Sequence, residues 1–78
     1  MESLGINYYK ALRKKYEAQI EEAKANLALY FSTKNLASIG EHSDLLTEQD
    51  KWIESLANAK DKLETLTSLE KEIKQLNN

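Results

Sequence analysis

No proline interrupts this chain of 78 residues, and its two glycines stand at positions 5 and 40. Two long stretches therefore carry no strong helix breaker. From Tyr9 the apolar side chains fall at Tyr9, Leu12, Tyr16, Ile20, Ala23, Leu27, Tyr30 and Phe31. Gaps of three and four place those up to Tyr30 in one stripe along an α-helix, with Phe31 beside it, and no alternation by two persists to suggest a strand. This spacing predicts a first helix over about 7–36. Ser3 or Asn7 can cap its start, and Asn35 or Gly40 can end it.

A second stripe is more regular. Trp52, Leu56, Ala59, Leu63, Leu66, Glu70 and Ile73 follow the alternating four-and-three spacing of a heptad seam. Glu70 is its flaw, and the neighbouring Leu69 and Leu76 suggest that the seam shifts there, as a stutter would produce. Thr47 is placed to cap a second helix over about 47–76, with Glu48 and Asp50 at its positive end. Residues 37–46 hold Ser38, Gly40, Ser43 and Asp44 and read as the turn. The expected fold is all-α: one antiparallel helical hairpin over residues 1–78, each arm ~45 Å long at 1.5 Å per residue.

One hairpin does not use all its apolar residues. Tyr8, Leu29 and Phe31 lie off the first stripe, and Ile53 and Leu69 lie off the second. A chain this short, with no cysteine and no metal cluster to staple it, rarely buries enough core alone. The expectation is self-association into a four-helix bundle or coiled-coil-like oligomer. Residues 1–40 carry six basic and four acidic side chains, and residues 41–78 carry five and nine. An antiparallel dimer would bring each pole to its opposite.

Catalysis has little to work with. There is one histidine and no cysteine, no phosphate loop and no spaced carboxylate pair. Glu41, His42 and Asp44 share the turn, but a metal site needs three or four ligands in fixed geometry. Neither a metal nor a cofactor is expected, and neither is enzymatic activity. Lys10, Arg13, Lys14 and Lys15, interleaved with Tyr8, Tyr9 and Tyr16, are the candidate nucleic-acid contacts. Glu17, Glu21 and Glu22 follow at once, so the favoured reading is a solvated helical face with local pairs such as Arg13–Glu17, Lys60–Glu64 and Glu70–Lys74. Tyr8, Tyr9, Tyr30, Trp52 and Ile53 are the candidate protein-interface residues, aromatics being common anchors. Trp52, like Tyr16, also fits the hairpin's own core. The longest apolar run, Leu27 to Phe31, is too short to cross a bilayer. With no signal-peptide pattern at Met1–Gly5, a cytoplasmic location is expected.

The stretch Ile39-Gly40-Glu41-His42-Ser43-Asp44-Leu45-Leu46, followed by a helix containing Ala59-Lys60-Asp61-Lys62-Leu63-Glu64, resembles small helical proteins of tailed bacteriophages. That resemblance implies an accessory or structural role in the host cytoplasm and no catalytic residue. Together these features point to a protein–protein interaction or assembly module. The alternative is an oligomeric bundle that binds a nucleotide or RNA at the basic end of its first helix.

Overall fold

The computed structural model describes residues 3–32 and 42–78, and every regular element within them is helical. Helix α1 spans Leu4–Phe31, α2 spans His42–Ser68 and α3 spans Glu70–Leu76. The long helices α1 and α2 pack antiparallel, and α3 carries the second arm on beside the start of α1. The extents are 55 × 20 × 14 Å and the radius of gyration is 17.2 Å. A compact domain of this length would have a radius of about 11.5 Å. The molecule is a rod with one seam.

Four heptad rows form that seam. On the second arm they are Leu45, Trp52, Ala59, Leu66 and Ile73, and Gln49, Leu56, Leu63, Glu70 and Asn77. On α1 they are Tyr9, Tyr16, Ala23 and Tyr30, and Ile6, Arg13, Ile20 and Leu27. Every member of these rows is buried or half-buried. A strict spacing of seven keeps a row facing its partner over many turns, which explains why so thin a contact is continuous. The most deeply covered positions are two alanines, Ala23 and Ala59, where a small side chain meets the opposite helix.

Helix boundaries depart from the expected ones. Helix α1 begins at Leu4, three residues early, because the Ser3 hydroxyl accepts from the Ile6 N–H at 3.1 Å. Asn7 is inside the helix. The far end also differs: α1 stops at Phe31, and Ser32 is already extended, so the helix does not run to 36. Asn35 and Gly40 lie outside the described residues. Helix α2 starts by His42, which overturns Thr47 as its cap and removes 42–46 from the turn. The reason is Leu45, seven residues before Trp52, which extends the heptad row by one more buried member. Leu12, placed in the first stripe by its spacing from Tyr9, falls between the rows and is exposed.

The second arm is broken where the sequence shows its flaw. The Ser68 hydroxyl donates to the Thr65 carbonyl at 2.6 Å, the acceptor that the Leu69 N–H would use in an unbroken helix. That N–H turns instead to Leu66 O at 3.1 Å, and regular bonding resumes with Ile73 N–H to Leu69 O at 2.9 Å. A serine hydroxyl competing for a helical carbonyl accounts for this tightened turn. The seam does not move onto Leu69 and Leu76, however. Both are exposed, and Glu70 keeps its place in the row.

Candidate interaction surface

The polar members of the Gln49–Asn77 row explain how a carboxylate holds a seam position. Each reaches across to α1. Gln49 donates to the Tyr30 carbonyl at 3.5 Å, and Glu70 accepts from the Tyr9 hydroxyl at 2.9 Å. Asn77 accepts from the Ser3 hydroxyl at 3.1 Å while its amide donates to Ile73 O at 2.7 Å. Gly5 lies directly against this Asn77 carboxamide, where any Cβ would collide with it. Facing residue numbers keep a nearly constant sum along the rod, as one unslipped antiparallel register requires. Polar groups at single seam positions are a known means of fixing register.

Around Tyr9 the contacts form a chain. Arg13 donates to the Tyr9 oxygen at 3.1 Å and to Glu17 at 3.3 Å, and Lys74 stands 3.6 Å from Glu70. The Tyr9 hydroxyl bond holds the Glu70 carboxyl below the ordinary carboxylate range, with Lys74 adding to it. The same hydroxyl, accepting from Arg13, raises the guanidinium's pKa further. Of the three expected local pairs, Arg13–Glu17 and Glu70–Lys74 form; Lys60 and Glu64 do not join.

Outside the seam the hairpin has two faces, and sequence position relative to a seam residue tells them apart. Two shallow grooves of about 260 Å³ each run along one face, lined by Gln19, Glu22, Ser55 and Asn58, and by Tyr16, Thr65 and Leu69. Apart from the seam residue Tyr16, each of these immediately precedes a seam residue. In an antiparallel pair of right-handed helices such positions share one face, and positions just after a seam residue share the other. Tyr8 and Leu12 on α1, and Leu69 and Leu76 on the second arm, immediately precede the seam residues Tyr9, Arg13, Glu70 and Asn77. These four exposed side chains therefore lie on the grooved face at the open end of the hairpin, while Leu4, two residues before Ile6, is exposed on the back of α1. Phe31, Leu46 and Ile53 follow Tyr30, Leu45 and Trp52. They are exposed on the opposite face, at the closed end. Leu29, seven residues beyond Glu22, stands apart from both groups.

The expected interface residues divide accordingly. Tyr8 and Ile53 are exposed, at 63% and 47%, while Tyr30 and Trp52 are half-buried in the seam. Tyr9 is only 6% exposed and its hydroxyl is committed, so it anchors the hairpin to itself rather than to a partner. Leu4, Leu46 and Leu76 were not among the expected contacts. The signal for Leu46 and Leu76 was adjacency to Leu45 and Asn77, seam positions that the stripes did not include. Of the basic candidates Lys10, Lys14 and Lys15 are exposed, and Arg13 is bound to Tyr9 and Glu17. Lys62 stands 6.0 Å from the Tyr16 ring and Lys51 5.6 Å from the Trp52 ring. Tyr9 is buried in the seam, and Tyr16 is half-buried there and also lines the second groove.

Among the described residues no three His, Cys, Asp or Glu side chains come together as a metal site. Gly40 and Glu41 are outside those residues, and His42, Ser43 and Asp44 form the first turn of α2. No helix among the described residues is long and apolar enough to cross a membrane. No protein-family model, no curated protein and no solved structure matches this chain. The all-α character with two long packed helices therefore stands on the structure itself.

Proposed function

We propose that this hairpin is a non-enzymatic assembly module that binds protein, its own copies first, by packing exposed apolar side chains of its helices. One observation carries the reading. Tyr8, Leu12, Leu69 and Leu76 are all exposed at one end of one face, with no part in the seam that holds the hairpin. Scattered exposed leucines are ordinary, but clustered ones mark interaction surfaces. A 55 Å rod with only six buried residues among those described also gains most from covering such a cluster. Sedimentation of the full chain over a wide concentration range tests the proposal. Mass above one chain, falling when Tyr8 is replaced by Ser, supports it; a monomer at every concentration refutes it.

A further inference from the structure

The two exposed apolar clusters are not equivalent, and their placement restricts how copies can meet. We propose that the hairpin assembles head to tail into an open-ended staggered chain. In it the open-end cluster of one copy (Tyr8, Leu12, Leu69, Leu76) packs on the closed-end cluster of the next (Phe31, Leu46, Ile53). This inference rests on the assembly reading above and names its partner surface.

Two arguments select a second copy in this arrangement. The first is charge. Among the described residues, the open half (3–20 and 59–78) holds eight basic and five acidic side chains. The closed half (21–32 and 42–58) holds two basic and six acidic. The halves are thus net +3 and −4. Contact between like clusters would oppose like ends, whereas contact between unlike clusters joins opposite ends.

The second argument is closure. A two-fold dimer uses the same surface on both partners. The clusters lie on opposite faces of a rod only 14 to 20 Å thick, so no single two-fold interface contains both. The antiparallel dimer suggested by the charge poles would bring unlike ends together but leave the apolar clusters on different sides. Pairing unlike clusters places each copy in front of the last, and that relation does not close on two chains. Heterologous contacts of this kind continue until the chain ends.

The test uses the full chain in two variants: Tyr8→Ser with Leu76→Ser for the open-end cluster, and Leu46→Ser with Ile53→Ser for the closed-end cluster. All four positions are exposed, and circular dichroism checks that each variant is folded. A contact this small falls in the weak class, below about 1,200 Å², so sedimentation equilibrium should extend to about 1 mM. The expected result has three parts. The wild-type weight-average mass passes two chains and keeps rising, and added salt lowers it. Each variant alone is monomeric. An equimolar mixture of the two gives a dimer and nothing larger, because one intact cluster remains on each partner. A wild-type plateau at two chains, or a mixture that stays monomeric, would overturn the head-to-tail chain and leave the assembly reading standing. A wild type that is monomeric throughout overturns both.

Discussion

Gly5→Ala is the sharpest probe of the hairpin's open end, because the substitution has two effects of opposite sign. Gly5 sits in the first turn of α1, two residues after the Ser3 cap. Alanine there gains about 0.5–1 kcal/mol of helix stability over glycine. Its Cβ also occupies the space held by the Asn77 carboxamide. Asn77 must then turn away, losing its bonds to Ser3 and to the Ile73 carbonyl. Two partly exposed hydrogen bonds contribute about 1–2 kcal/mol together. In the wild-type background the loss outweighs the gain, and Gly5→Ala destabilises by about 0.5–1 kcal/mol. With Asn77→Ala already present there is nothing to displace, and the same change stabilises by about 0.5–1 kcal/mol. That reversal corresponds to opposite Tm shifts of about 2–8 °C in a domain this size. A double-mutant cycle by urea unfolding isolates the pair, 72 positions apart in sequence but adjacent in space. If Gly5→Ala raises stability equally in both backgrounds, the ends do not meet as described.

Three further outcomes follow from features of the seam. Ala23→Leu adds bulk at one of the two most covered positions, and urea denaturation should show a loss of about 1–3 kcal/mol. Ser68→Ala frees the Thr65 carbonyl for the Leu69 N–H, which should raise helicity by circular dichroism and slow amide exchange at Leu69; an unchanged exchange rate would acquit the serine. The Glu70 carboxyl has a depressed pKa, so its stabilising share is present above the ordinary carboxylate range and fades as pH falls through the lowered value. Wild type should therefore exceed Glu70→Gln in stability near neutrality, and the gap should close in acid; a pH-independent gap would refute the account.

The repeat of seven was legible in the sequence from Trp52 to Ile73, and it dictates the hairpin, the seam and the exposure of Tyr8, Leu29, Phe31, Ile53 and Leu69. The caps were less legible. Thr47 looks like a start because it is a good N-cap residue followed by acids, but a capping side chain contributes about 1 kcal/mol. Burying Leu45 contributes more, about 1.5–3 kcal/mol, so the helix runs through. Glu70 was the harder case. A carboxylate in an apolar row reads as an error until its partner is known, and that partner, Tyr9, is 61 positions away. Asn77 and Gln49 were missed for the same reason. One-dimensional periodicity shows where a seam lies and says nothing of which polar residues meet across it.

The interruption at Leu69 makes the last turns of the second arm a unit of their own. A seven-residue helix has no stability in isolation. α3 is held by Ile73 in the seam, the Glu70 carboxylate on Tyr9, Asn77 on Ser3, and the resumed bonding to Leu69. It can therefore open without the rest of the rod, as a local unfolding event of low free energy. Opening would carry Leu76 away from the open end of the grooved face, and closing would restore it. A complete open-end cluster thus depends on α3 being docked, and a partner bound there would favour the docked state.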